Sequence, residues 1–226
     1  MNIVYLIFIV VTILSWFIQH MLNSRFDEYS QLPTNSGLTG KDVAEKMLRD
    51  NGITDVKVCH VAGKLTDHYN PANKTLNLSD SVYHSPSVAA AAVAAHECGH
   101  ALQHAQAYSF LKLRTMLVPM VSFASNWMQW VLLVGILLIN VFPHLLLFGI
   151  CLFATTTLFS IITLPVEVNA SKRAMAWLSS AGIVNSATYP KAASALKWAA
   201  STYFISAISS LAYLLYYVMI FLGRRD

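Results

Sequence analysis

Residues 3–22 read IVYLIFIVVTILSWFIQHML, about twenty residues without a formal charge. Three further uncharged apolar runs follow, at Met116–Phe142, His144–Leu164 and Tyr203–Leu222. An α-helix needs roughly 20 apolar residues to cross the hydrocarbon core of a bilayer, so each run is long enough to span it. The sequence therefore predicts a mainly α-helical membrane protein with about four transmembrane helices.

Composition supports a membrane protein, because 56% of the residues are hydrophobic, only 12% are charged and the mean hydropathy is +0.52. The first run lacks a basic N-terminal flank and a small-residue cleavage site, so we interpret it as a retained anchor and not a signal peptide. The cysteines Cys59, Cys98 and Cys151 are odd in number and scattered, which argues against a disulfide framework and suits a reducing compartment.

The apolar runs divide the chain into five predicted parts. These are an N-terminal transmembrane anchor at 1–22, a polar α+β segment at 23–115, a transmembrane hairpin at 116–164, a helical segment at 165–202, and a C-terminal transmembrane helix with its tail at 203–226. The polar segment carries nine basic and nine acidic residues. It is therefore neutral and gives no indication of a nucleic-acid partner.

Within the polar segment, apolar spacing and turn residues predict a small α+β unit. The predicted order is a helix at Lys41–Asp50, a strand at Asp55–Val61, a loop at Gly63–Asn73, a strand at Thr75–Ser79 and a second helix. Ser85 is expected to cap that second helix, with Pro86 at its first position. We also expect the strand at Thr75–Ser79 to be an edge that can pair with an extended substrate.

The second helix contains the motif His96-Glu97-Cys98-Gly99-His100. Residues four apart on an α-helix lie on one face, so both imidazoles can bind one metal ion. A glutamate beside the first ligand can act as general base toward metal-activated water. Cys98 points away from the two histidines by helix geometry, and a packing role is favoured for it.

A third ligand is needed, because catalytic zinc usually has three protein ligands and a water. His104 lies about 12 Å along the helix axis from His96 at 1.5 Å per residue, so it is a poor partner for the same ion. Glu167 is the best candidate, since it is the only acidic residue between Glu97 and Asp226 and a carboxylate beside a membrane is costly without a partner. The alternative is an interfacial ion pair between Glu167 and nearby basic residues.

The membrane topology is compatible with Glu167 as the third ligand. Glu167 follows the third apolar run, at a point where Pro165 is expected to begin a new helix. Two crossings separate it from the motif helix, so both lie on one membrane face. Basic residues flank the hairpin on that side, Lys112 and Arg114 before it and Lys172 and Arg173 after it. The positive-inside rule then places the site in the cytoplasm, although Arg224 and Arg225 argue against an external C-terminus.

Several longer stretches resemble the YugP-like neutral zinc metallopeptidases, a bacterial membrane group. The resemblance rests on Ser36–Gly40, Gly63–Pro71, Ser87–Ala90, His96–Gln103 and Leu164–Ala174. It implies that the α+β segment at 23–115 is a small zincin-like catalytic unit, and that the protein is a zinc-dependent endopeptidase with a gluzincin-like site and one Zn²⁺ ion. In this site His96, His100 and Glu167 are ligands and Glu97 is the base. One departure is Asn169, where an acidic residue is often expected.

The predicted reaction is hydrolysis of peptide bonds in membrane-associated or membrane-proximal polypeptides by zinc-activated water. His68 and Tyr69, on a polar loop before the strand at Thr75–Ser79, are the candidates for stabilising the oxyanion, as catalytic residues beside Glu97. The expected partners are a peptide or membrane-protein substrate and the lipid bilayer of the cell membrane, and an oligomer or an accessory membrane partner stays open.

Two other functions compete with this prediction. An intramembrane zinc protease would need the motif inside a spanning helix, but Val88–Ala107 carries three histidines and a glutamate, which is too polar for an independent span. A non-catalytic membrane scaffold or adaptor with structural zinc would need four protein ligands and would leave Glu97 without a purpose.

Overall fold

The architecture is known from a computed structural model that describes residues 3–223, with the side chains described from Tyr5 onward. Its helices are α1 Ile3–Ser30, α2 Gly40–Asp50, α3 Asp80–Tyr83, α4 Val88–Ala105, α5 Ser109–Leu137, α6 Pro143–Ser180 and α7 Tyr189–Gly223. Its strands are β1 Lys57–Val61, β2 His68–Asn70 and β3 Thr75–Ser79. In the described part of the chain four helices, α1, α5, α6 and α7, are long and apolar enough to cross a membrane. This confirms the predicted class, a mainly α membrane protein with a small sheet.

The chain forms two compact units, of which the first is apolar. It comprises Met1–Phe17, Lys112–Leu164 and Thr202–Asp226. Helices α5 and α6 approach closely where glycine replaces a side chain, because a Cβ on Gly135 would lie 2.7 Å from the Cα of Leu146. Most large apolar side chains of α1 and α5 are exposed, which is the surface expected of helices that face lipid.

The second unit, Ile18–Leu111 with Pro165–Ser201, contains the predicted α+β segment. Its three-stranded sheet has the order β1-β3-β2, with β1 parallel to β3 and β2 antiparallel to it. Beneath the sheet, α4 is buried over most of its length, because its run of alanines lets neighbouring elements approach from several sides.

Two predictions about the sheet are wrong. Residues 63–73 are not all loop, because His68–Asn70 pair with β3 and the turn at Pro71 closes a hairpin. This pairing and the parallel pairing with β1 make β3 the central strand, so it is not the predicted edge. The edge positions belong to β1, which lies within the predicted strand at Asp55–Val61, and to β2. A strand of only three residues such as β2 is too short to show a periodicity in the sequence.

The predicted start of the motif helix is also corrected. Helix α4 begins at Val88 with Ser87 as its N-cap, whose hydroxyl accepts a hydrogen bond from the amide of Ala90 at 3.2 Å. Pro86 stays outside the helix because its carbonyl accepts the amide of Thr34 at 2.9 Å. A long-range backbone pairing therefore overrides the local preference of proline for the first helical turn.

Pro165 does not begin a new helix, because α6 continues through it from Pro143 to Ser180. Ending a helix leaves up to four carbonyls without intrahelical partners, and these are expensive to leave in apolar surroundings. Losing the single amide donor at a proline costs less. One continuous helix therefore carries Glu167 directly from the last apolar run.

Candidate metal centre

Helix α4 presents the two motif histidines side by side. The ring centroids of His96 and His100 lie 4.8 Å apart, with the rings nearly perpendicular at 85°. His100 is buried, and His96 keeps only a small exposed fraction of its side chain. The one-turn spacing of the motif thus brings both imidazoles to one point on the helix surface, as helix geometry requires.

Helix α6 brings Glu167 to the same point. Its Oε2 atom lies 3.3 Å from the Nε2 of His96 and 3.6 Å from the Nε2 of His100. Glu167 is 2% exposed, so its charge is stabilised mainly by contacts with these imidazoles and hardly by water. Within residues 3–223, these three side chains form the only group of three or more potential ligands with donor atoms within 4.8 Å of one another.

The donor set fits a zinc ion. Two ligands at about 2.0–2.1 Å from a tetrahedral ion are roughly 3.4 Å apart, close to the 3.3 and 3.6 Å separations of the carboxylate oxygen from the two imidazoles. Two histidines and one carboxylate form one of the usual ligand sets of catalytic zinc, which leaves the fourth position open. His104 is exposed on α4 and does not belong to this group.

The remaining nitrogen of each histidine has its own partner. The Nδ1 of His96 lies 3.1 Å from the hydroxyl of Ser171, and the Nδ1 of His100 lies 3.0 Å from the Oε1 of Gln103. Burial acts against the charged form of His100, but the adjacent Glu167 carboxylate and the nearby charge of Glu97 outweigh it and raise the pKa of the imidazole. Ser171 and Gln103 were not singled out from the sequence.

Glu97 is held by the backbone of β2. Its Oε2 accepts a hydrogen bond from the amide of Tyr69 at 3.0 Å, and the side chain is only 8% exposed. The amide donor comes from the central residue of a three-residue edge strand. The hairpin that the sequence did not predict is thus what orients the candidate base.

The two candidate oxyanion donors face different partners. The hydroxyl of Tyr69 lies 2.8 Å from the Nδ1 of His104 on α4. The ring of His68 is exposed and pairs with the carbonyl of Thr66 and the amide of Asn77. Successive strand residues point to opposite faces, so Tyr69 is on the motif-helix side and His68 is on the other.

Cys98 packs away from the candidate ligands. It is fully buried, with its Sγ 3.5 Å from the carbonyl oxygen of Ala44 on α2. Burial raises the pKa of this thiol well above its usual value, and metal binding requires the thiolate. The side chain therefore acts as a small packing group between α4 and α2.

Two histidines one turn apart, with a glutamate next to the first, form the pattern that is typical of one class of protein, the zinc hydrolases with the HExxH motif. The family model described as "Putative neutral zinc metallopeptidase" matches residues 4–222. The chain is also 42% identical over 225 residues, 98% of its length and 99% of the relative's, to a Bacillus subtilis (strain 168) protein described as "Putative membrane protease YugP". No solved structure matches it. The chain belongs to this neutral zinc metallopeptidase family.

Proposed function

We propose that the protein is a zinc-dependent endopeptidase that cleaves membrane-associated or membrane-proximal polypeptides. The observation that carries the proposal is the convergence of His96, His100 and Glu167 beside the buried Glu97. His96 and His100 would hold the ion through Nε2, and Glu167 through its carboxylate. Three such ligands suit one Zn²⁺ ion.

When bound in such a site, zinc acidifies water and polarises a carbonyl group. The chain itself supplies the proton transfers. With Oε2 of Glu97 held by the amide of Tyr69, its Oε1 accepts the proton of the attacking water and later passes it to the leaving amine. Low exposure of Glu97 limits competing solvent contacts and keeps this geometry.

We assign the oxyanion-stabilising role to Tyr69 in preference to His68. The phenol lies on the motif-helix side of β2 and is positioned by His104. If His104 donates from Nδ1, the phenolic proton of Tyr69 stays available for the developing negative charge. The ring nitrogens of His68 are engaged by Thr66 and Asn77 instead.

The proposed location of the site is the cytoplasmic face of the cell membrane. It rests on the basic flanks of the hairpin and on the even number of crossings between the two ligand-bearing segments. Arg224 and Arg225, which argue for the opposite placement of the C-terminus, lie outside the described residues. The substrate class follows from this location, because a site beside a bilayer meets membrane-bound chains first.

The two competing functions have less support. A structural zinc site needs four protein ligands, whereas the described residues bring three together. An intramembrane protease would carry the motif within a spanning helix, but α4 is not among the four helices apolar enough to span.

The decisive experiment replaces Glu97 with glutamine in the full-length protein. Zinc content should stay at the wild-type level, while cleavage of a membrane-associated peptide should fall by about 10²-fold or more, as expected on loss of a general base. Matched variants His96→Ala and Glu167→Ala should lower zinc content instead. Wild-type cleavage by Glu97→Gln would remove it as the base, and unchanged zinc content in Glu167→Ala would remove that ligand.

A further inference from the structure

Gln103 is a completely buried polar side chain, 0% exposed, one turn after the second motif histidine. Its Oε1 faces the Nδ1 of His100 at 3.0 Å. Its Nε2 contacts two oxygens on α6, the Val166 carbonyl at 2.8 Å and the Oδ1 of Asn169 at 3.0 Å. A buried amide with every contact satisfied is strongly constrained, because each lost contact leaves an unpaired polar group.

The direction of these hydrogen bonds follows from the chemistry of the groups at the far end. A guanidinium can only donate, so the atom of Asn169 that lies 2.7 Å from the Nε of Arg173 must be the carbonyl oxygen. A backbone carbonyl such as that of Val166 can only accept. Both neighbours of the Gln103 amide on α6 are therefore acceptors, and the NH₂ group must point toward them.

The amide oxygen of Gln103 is thereby turned toward His100. An oxygen can only accept, so the Nδ1 of His100 must carry the hydrogen. In the neutral ring the hydrogen is then absent from Nε2, the nitrogen that faces Glu167 at 3.6 Å. We infer that Arg173, Asn169 and Gln103 form a hydrogen-bond relay that holds His100 as the Nδ1–H tautomer with its Nε2 lone pair ready for the metal.

The relay selects a tautomer of His100 but not of His96. The partner of His96 is the hydroxyl of Ser171, which can donate or accept, so it does not select a tautomer. Arg173 is itself held by Gln106, whose Oε1 accepts from its guanidinium at 2.6 Å. The inference rests on the proposed function only for the metal role of His100, because the tautomer is a property of the zinc-free chain.

The test uses the full-length protein in detergent micelles, with ¹⁵N-labelled histidine and zinc removed. At alkaline pH the His100 resonances should show a protonated Nδ1 and an unprotonated Nε2. Gln103→Met, which keeps length but removes every polar contact, should populate the Nε2–H form and weaken Zn²⁺ affinity by about 10–100-fold, as typical for loss of an outer-shell partner. Arg173→Met, a half-exposed change that spares the core, should shift the tautomer in the same direction but less, because the Val166 carbonyl still accepts from the Gln103 amide.

Two matched variants separate the relay from general destabilisation. Asn169→Asp keeps an oxygen toward both Gln103 and Arg173, so it should retain the wild-type tautomer and a Zn²⁺ affinity within about 3-fold. Ser171→Ala should leave the tautomer of His100 unchanged. An unchanged tautomer in Gln103→Met overturns the relay, and an unchanged tautomer in Arg173→Met removes Arg173 from it. Wild-type Zn²⁺ affinity in His100→Ala would instead overturn the proposed metal site, whatever the tautomer.

Discussion

Gly99 lies against the backbone of Ala170, so closely that a Cβ at position 99 would be 2.6 Å from the Ala170 carbonyl oxygen and 3.0 Å from its Cα. Real contacts of this kind are not made that short, so only glycine fits. The motif helix and α6 thus touch backbone to backbone between the two candidate ligands His96 and His100. This contact brings the carboxylate of Glu167 within reach of His96 and His100.

Gly99→Ala should therefore separate α6 from α4 and weaken metal binding. Overpacking costs about 1–3 kcal/mol, and at about 1.4 kcal/mol per tenfold we expect Zn²⁺ affinity to fall by about 5- to 100-fold. A competition titration with a chelator measures the change. Cys98→Ala is the matched control, since it alters the adjacent buried residue away from α6. Equal zinc affinities in the two variants would show that the close contact is not needed.

Tyr69→Phe distinguishes the role of the Tyr69 hydroxyl from the role of its backbone amide. The amide that holds Glu97 is retained, so zinc affinity and the orientation of the base should not change. Loss of one oxyanion donor should lower kcat by about 10²-fold with little effect on zinc content. Steady-state kinetics on a membrane-associated peptide provide the measurement. A larger loss of kcat in His68→Gln than in Tyr69→Phe would transfer the role to His68.

Asp67→Asn should change the pH dependence of stability. Burial, with a contribution from the charge of Glu97, raises the pKa of Asp67 above 3.8 despite hydrogen bonds from Ser79. A carboxyl with a raised pKa in the folded state binds more protons there than in the unfolded chain. Stability is therefore lost as pH rises from about 4 through the raised value.

The asparagine side chain cannot ionise and can still hydrogen-bond the amide and hydroxyl of Ser79. As pH rises from about 4 to about 7, the Tm of the wild type should therefore fall relative to the Tm of Asp67→Asn. Both Tm values are measured by fluorescence-detected unfolding in the same detergent. Carboxylates that do not interact with residue 67 contribute equally to both proteins and cancel. A Tm difference that is independent of pH would contradict the raised pKa.

Single cysteines test the proposed orientation in the membrane. In a background where the native cysteines are replaced, Lys112→Cys and Lys172→Cys should react with a membrane-impermeant thiol reagent only after the cells are permeabilised. Asn140→Cys, in the turn of the hairpin, should react in intact cells. All three positions are exposed in the structure. Labelling of residues 112 and 172 in intact cells would reverse the proposed orientation. Labelling of these two residues from opposite sides of the membrane would contradict the two crossings between them.

Much of the fold was predictable because its signals are local. Length and apolarity indicate the spanning helices, and the four-residue spacing of His96 and His100 places them on one helix face. The isolated Glu167 stood out because an acidic residue near a membrane needs a partner. Its assignment as a ligand, like the five-part division of the chain, stays a prediction, and the zincin-like character of the α+β unit does too.

Non-local pairing accounts for what the sequence did not predict. Pro86 stays outside α4 because it pairs with Thr34, some fifty residues away in the chain, and β2 exists only because β3 lies beside it. Gln103 has no distinguishing feature in the sequence, and its role depends on the two acceptors that α6 places beside its amide. Periodicity and composition describe each segment against a uniform environment of water or lipid. The Tyr69 amide that holds Glu97 and the α6 oxygens that orient Gln103 toward His100 come from distant segments. Tertiary packing therefore decided how the candidate base and this candidate ligand are held.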